Sequence, residues 1–268
     1  MFQKKALSCR ISFMKIQGVP LGNFETGCPY LPDRRFTSED MVVADIDEQG
    51  LDYLLSLGFR HFGSHFFRPV CKTCHQCIPI RVPVESFEPS RNMRRVLKKA
   101  SSLTTEIRGP EATEEKYRLY LSHLNRFPVV ERSGYESFRE AFFTPLPFSR
   151  ELDIFDGEEL VAVAHFDLTA TLLSAVYCYW NPKQESLGLG TLAILKEMEY
   201  ARNRGLRHVY LGYYVPESRH MNYKARFQPN EILLREGAWV AFSDRGGETP
   251  LPGPDGMGFI PVTRIVPE

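Results

Sequence analysis

Residues 151 to 215 run through an order of elements that few folds accept. ELDIFD, a turn at Asp156-Gly157, LVAVAHFDL, a second turn and LLSAVYCYW read as three antiparallel strands. SLGLG then leads into TLAILKEMEYARNRG, which has the length and apolar spacing of a helix, and RHVYLGYYV follows as a further strand. Upstream, EEKYRLYLSHLNRF and YESFREAFF read as helices, the first with Tyr117, Tyr120, Leu121 and Leu124 as its core stripe.

Helices, three antiparallel strands, a glycine-rich turn, a helix and a strand are the order expected of a GNAT-type acyltransferase core. The fold class that follows is α+β: a small N-terminal domain (1–100) with the cysteine cluster and a basic helix, a GNAT-like domain (101–242) with a mixed, mainly antiparallel sheet, and an extended C-terminal tail (243–268) rich in Gly and Pro. In the first part, LDYLLSLG reads as a short helix ending at Gly58, FRHF as strand-like, and IPIRVPV as a strand with Ile78, Ile80, Val82 and Val84 on one face. Its prolines, Pro79 and Pro83, place it at a sheet edge.

Between these strands lies CKTCHQC. Two C-x2-C steps put the thiols of Cys71, Cys74 and Cys77 on a tight turn, a geometry that suits zinc or an iron-sulfur cluster in a structural role. Cys28 is the candidate fourth ligand, with His75 as the alternative; a cysteine cluster that holds no metal is the competing reading. Cys9 and Cys178 stand alone and read as buried thiols. Six cysteines in 268 residues without an export signal argue for reduced thiols or metal ligands rather than a disulfide framework.

Charge is balanced, 33 basic against 33 acidic residues, so an anionic partner must be met by a local patch. PSRNMRRVLKKA supplies one. Ser90 reads as a helix cap; Met93, Val96, Leu97 and Ala100 fall on one face, and Arg91, Arg94, Arg95 and Lys98 on the other. The plain reading is a solvated cationic face; a row without one acidic partner favours a phosphate or carboxylate site. No apolar stretch approaches the roughly 18 residues of a membrane span, so no membrane partner and a cytoplasmic location are expected.

Two further stretches carry chemistry. SLGLGTLA sets Gly188 and Gly190 just before a helix, where backbone N–H groups can meet an anion. Acetyl-CoA enzymes of this type carry Arg or Gln three residues before the first glycine; here that residue is Glu185, which weakens a CoA-dependent N-acetyltransferase as the alternative reading. YLGYYVPESRHMNYKARFQP interleaves Tyr210, Tyr213, Tyr214 and Tyr223 with Arg219, Lys224 and Arg226, a pattern suited to stacking and phosphate contact with a single-stranded end, although tyrosines on a strand also pack as core. A metal-bearing RNA-binding module without catalysis is a third reading.

Several stretches together resemble one family: the bacterial aminoacyl-tRNA-protein transferases of the aspartate/glutamate leucyltransferase type, related to the eukaryotic arginyltransferases. They are CPYLPDR, LLSLGFR, the RP-x-C-x2-C-x2-C-x-P-x-R run ending at Arg81, F-x-PS-x4-RVLKK, VAVAHFDL, LSAVY, LGLGTLAIL and YLGYY-x7-NYKARFQP. The resemblance implies transfer of an aminoacyl group from charged tRNA to the α-amine of a protein that begins with Asp or Glu, which marks it for N-end rule degradation. Leucine is the donor in bacterial relatives of this length and arginine in the eukaryotic ones, and no cofactor is required for transfer. Departures from the family pattern fall at His61, Phe62, Asn181 and Ser218.

Such a reaction needs positioning, help with one proton and stabilisation of a tetrahedral oxyanion. On this resemblance Asp167, Tyr223 and Lys224 are the expected catalytic residues. Arg81 with Arg91 or Arg94 is the expected clamp for the acceptor's carboxylate, because guanidinium matches carboxylate bidentately. Arg95, Lys98, Lys99 and Arg226 are expected on the tRNA.

Overall fold

The computed structural model of the protein describes residues 14–127, 134–144 and 146–242, with the backbone of 251–252 and 259–260. The first part of the chain forms β1 (Ile16–Gly27), β2 (Arg35–Ile46), α1 (Glu48–Ser56), β3 (Arg60–Phe62), β4 (His65–Pro69), β5 (Ile78–Pro83) and α2 (Arg91–Lys99). Then come β6 (Thr104–Arg108), α3 (Glu114–Leu124), α4 (Tyr135–Phe143), β7 (Ser149–Asp156), β8 (Glu159–Leu168) and β9 (Leu172–Trp180). The last part holds α5 (Leu189–Asn203), β10 (His208–Tyr214), β11 (Asn230–Leu233) and β12 (Trp239–Phe242), with 3-10 turns at Pro182–Leu187 and Asn222–Arg226. Leu251–Pro252 pairs with Phe259–Ile260; the rest of the tail, like Cys9, lies outside the described residues.

The α+β class and the mainly antiparallel sheet hold. A four-stranded sheet, β1-β2-β4-β3, stands beside an eight-stranded one, β12-β11-β5-β10-β9-β8-β7-β6. The larger sheet is antiparallel except where β10 runs parallel to β9. Strand β8 is buried from Leu160 to Asp167 because helices cover both its faces. Ala162, Ala164 and Phe166 pack into the core shared with α5 and α2. Val163 packs with Leu119 of α3 and Phe138 of α4 on the other side.

The sheets bear on two sequence expectations. The division at residue 100 does not follow the sheets: β5 lies inside the larger one, and Val96 of α2 closes on Gly188 beside α5. Nor is β5 an edge strand, since β10 flanks it on one side and β11 on the other. The prolines are tolerated there because β11 pairs only with Ile80 and Arg81, leaving Pro79 and Pro83 outside its short ladder.

Helix α2 follows its pattern closely. Ser90 Oγ accepts from the Met93 N–H at 3.4 Å, Met93 and Ala100 are buried, and Arg91, Arg94, Arg95, Lys98 and Lys99 are exposed. Helix α3 departs from its own: Lys116, Leu119, His123 and Leu124 are its buried residues. Lys116 bonds Glu151 and lies 3.3 Å from Asp153, whose carboxylate also accepts from Arg108 Nε at 3.0 Å. Breaking a buried ionic cluster by removing one partner costs about 3–5 kcal/mol, so this one pins α3, and with it His123, against the sheet.

Candidate active site

Strands β9 and β10 are bonded only from Leu172 to Ser174 and from His208 to Tyr210. Beyond that point they part, and the gap opens into a cleft of about 850 Å³ floored by Ala175 to Cys178 and by Leu211 to Tyr213. Helix α5 starts at its mouth, after Gly188 in the left-handed conformation (φ +69°). The fork itself is held by a residue from the other sheet. Arg60 of β3 is buried, donates to Ser174 Oγ at 2.9 Å and also bonds the Ala175 carbonyl.

Next to it lies Lys224. Its Nζ sits 3.3 Å, and Arg60 Nε 3.7 Å, from where a β-carbon on Gly212 would stand. Gly212 also has φ +84° at a bulge in β10, so glycine serves there both for conformation and for close approach. Burial, reinforced by the Arg60 charge, brings the Lys224 amine down to about 7, so a large share is neutral near pH 7. Tyr223 lines the same wall, its hydroxyl pushed up by burial.

The rim is aromatic and cationic. Arg126 stacks over Trp180 at 4.5 Å and pairs with the exposed Glu185 at 3.4 Å. Trp180 donates its backbone N–H to His123 Nδ1 at 3.2 Å, a ring that burial holds down to about 4 and so keeps neutral. Phe127 and His220 meet edge to face, with centroids 5.3 Å apart. One cation of α2 reaches this side of the molecule, Lys99 Nζ donating to the Ser186 carbonyl at 3.2 Å.

The expected residues divide accordingly. Tyr223 and Lys224 line the cleft, and Arg95, Lys98 and Lys99 are exposed on α2, of which Lys99 reaches Ser186 next to the cleft residue Glu185. Asp167 is buried behind the cleft wall, reaching it only through His61: Oδ2 lies 2.7 Å from His61 Nε2, and Oδ1 accepts from Ser149 at 3.0 Å. His61 Nδ1 meets the Gly63 carbonyl at 2.9 Å, so both ring nitrogens face acceptor oxygens.

Arg81 is spent elsewhere, donating to Glu231 at 2.6 Å and to the Tyr210 hydroxyl at 2.9 Å, with Trp239 beneath it at 4.3 Å. None of Arg81, Arg91, Arg94 or Arg226 lines the cleft, so the expected carboxylate clamp is not assembled there. Tyr210, Tyr213 and Tyr214 are buried and are not free to stack on a base; Tyr213 donates its hydroxyl to the Gly58 carbonyl at 2.8 Å. Cys178 lies in the cleft wall, its thiol pushed up by burial.

The cysteines are grouped behind the cleft. Cys28 and Cys77 pack against Tyr213, and the Cys77 thiol is raised by burial and then by the negative fields of Cys28, Cys71 and Cys74. The Thr37 N–H points at Cys71 Sγ at 3.3 Å and Arg34 at Cys74 Sγ at 3.6 Å. Among the described residues no three His, Cys, Asp or Glu side chains converge as metal ligands. The arrangement is a cluster of neighbouring thiols.

Sequence reasoning missed Arg60 and Glu197 in the cleft and Arg126 and Trp180 at its rim. It did flag His61, Phe62 and Ser218 as departures from a family pattern, and all three line the cleft.

A strand pair bonded at one end and parted at the other, with a helix N-terminus at the opening, is the arrangement expected of a GNAT-like fold. Residues 26–95 match the N-terminal model, and residues 115–234 the C-terminal model, of the arginine-tRNA-protein transferases. The chain belongs to that family of aminoacyltransferases. It is 42% identical over 227 residues to an aspartate/glutamate leucyltransferase of Marinobacter nauticus, covering 81% of this chain and 92% of the relative. A second relative of that name, from Stutzerimonas stutzeri, is 39% identical over 223 residues, covering 81% and 93%. Among solved structures, the crystal structure of FemX aligns with a TM-score of 0.45 at 13% identity, over 70% of this chain and 67% of that one.

Proposed function

We propose that the protein transfers leucine from leucyl-tRNA to the α-amino group of polypeptides that begin with Asp or Glu, marking them for N-end rule degradation. The reading is carried by the 42% identity to an aspartate/glutamate leucyltransferase over 92% of that relative's length. The cleft suits the chemistry. An aminoacyl ester is already activated, and an α-amine has an ordinary pKa of about 7.7–8.0, so one proton must be taken as the amine attacks.

Lys224, brought down to about 7, is poised to take it. Arg60, a buried cation beside Lys224, stabilises the oxyanion formed at the ester carbonyl. The bond from carbonyl carbon to ribose oxygen then breaks, and that oxygen takes up a proton as the tRNA leaves. Tyr223 orders the wall it shares with Lys224. His61, held by Asp167, fixes the floor, so Asp167 is a positioning residue.

Outside the cleft, Arg95, Lys98 and Lys99 meet tRNA phosphates, and the aromatic rim of Trp180 and Phe127 receives the single-stranded end. The acceptor's carboxylate is met by Arg219, which lines the mouth, is exposed, and has no acidic partner among the described residues.

The test is direct. Purified protein is incubated with peptides beginning Asp, Glu, Arg or Ala and a set of charged tRNAs, and the mass added to each is read. Leucine on the acidic-start peptides alone is the expected result. An arginine mass would move the chain to the arginyl class, and no transfer would overturn the reading.

A further inference from the structure

One acid in the cleft has no part in the steps above. Helix α5 turns Gly190, Ala193, Ile194 and Glu197 toward the cleft, small residues near the mouth and the acid farther in. Glu197 is only 2% exposed, and its Oε2 has no hydrogen-bond partner among the described residues. Among the described residues the cleft is lined by one other acid, Glu185, which is exposed at the rim and paired with Arg126. A carboxyl group buried without a partner is costly unless something fills its hydrogen-bonding capacity.

The donor chemistry says what could. Unlike a simple acyl thioester, an aminoacyl ester carries a free α-amine beside the reacting carbonyl. The Arg60 cation suits the oxygens of the ester and does not suit an ammonium group. We propose that Glu197 reads the donor, its carboxylate accepting hydrogen bonds from the α-ammonium group of the aminoacyl ester, so that the cleft selects donors with a free amine.

The surroundings fit an empty site that is neutral and a filled one that is charged. Burial, opposed in part by the Arg60 charge, lifts the Glu197 carboxyl to about 8. The groups near it from β9 and the second 3-10 turn, Cys178 and Tyr223, are both held in their neutral forms by burial. An ammonium arriving beside Glu197 favours the carboxylate, and the carboxyl proton leaves to solvent.

The inference rests on the transferase reading, and the experiment separates the two. Transfer to an Asp-start peptide is measured from leucyl-tRNA and from Nα-acetyl-leucyl-tRNA, with the wild type and with Glu197→Gln, which keeps shape and loses charge. The wild type is expected to favour the free-amine donor at least tenfold in kcat/KM. Glu197→Gln should lose roughly 10- to 100-fold with leucyl-tRNA, as expected for a hydrogen bond to a charged group, mainly through KM. It should lose little with the acetylated donor, so the preference collapses, and it should melt no lower than the wild type.

Equal losses with both donors would overturn the assignment and leave Glu197 a general structural or catalytic role. So would a wild type that uses both donors equally, a result that needs no variant to fold. A wild type inactive with leucyl-tRNA would fail the transferase reading, and the assignment with it.

Discussion

The amine of Lys224 lies 3.3 Å from where a β-carbon on Gly212 would stand, on the side of β10 that faces the cleft. This contact joins a strand bulge to the amine proposed to take the proton. Gly212→Ala would add a methyl group against Lys224 and Arg60 and force an L side chain to φ +84°. The expected result is a stability loss of about 1–3 kcal/mol and a fall in kcat/KM of at least tenfold, read by denaturant melts and peptide transfer. Unchanged activity would mean that Lys224 is not held by this contact.

Lys224 also gives a stability signature whose sign is fixed. Its amine falls from an ordinary 10.5 to about 7 on folding. Between those values the unfolded chain holds a proton that the folded chain does not, so this residue's contribution to stability improves as pH rises through that window. The stability of Lys224→Met relative to wild type should therefore be greatest at or below pH 7 and decline toward pH 10. A pH-independent difference in denaturant melts would contradict the burial assigned to the amine.

Arg81 makes the opposite kind of prediction. It was legible as a functional arginine on its motif, yet it bonds Glu231, whose carboxyl is held down to about 2, first by His208 and also by Arg81. That depressed value stabilises the fold above the ordinary carboxylate range, and the benefit is lost as pH falls toward 2. Arg81→Met should lower stability by about 1–3 kcal/mol at pH 7, with a smaller deficit in acid. The ratio of Asp-start to Ala-start transfer should not move; a changed ratio would restore Arg81 to the acceptor site.

The α2 cations are tested by salt. Binding that neutralises phosphates weakens with ionic strength in proportion to the contacts made, with a slope of about 0.7 per contact on single strands and 0.9 on duplex. Replacing Lys98 and Lys99 with Ala should flatten the dependence of tRNA affinity on log salt by about 1 to 2, measured with leucyl-tRNA at several salt concentrations. Acceptor peptide KM should stay the same.

Local signals were read well and distant ones were not. Ser90 with the apolar spacing of Met93, Val96 and Ala100 defines α2 from its own residues, because cap and stripe lie within one segment. Gly58 and the Asp156-Gly157 turn were legible for the same reason. Arg60 was not: its partners, Ser174 and Ala175, are more than a hundred positions away, and nothing near Arg60 indicates that β9 and β10 part at that depth. The edge assignment of β5 failed likewise, since prolines report a missing donor but not how short the neighbouring ladder is. Nothing in the sequence sets Glu197 apart from Glu199 on the same helix; only the burial of its side chain in α5 does.

The place of β5 also bears on how the chain is made. Ile80 pairs with Ile232, so a strand synthesised early must wait about 150 residues for its second neighbour. The small sheet, complete by Pro69, can form while the ribosome is still translating; the larger sheet cannot close until β11 has emerged. The cleft is therefore among the last features to assemble, and a nascent chain has no acyltransferase site to fill.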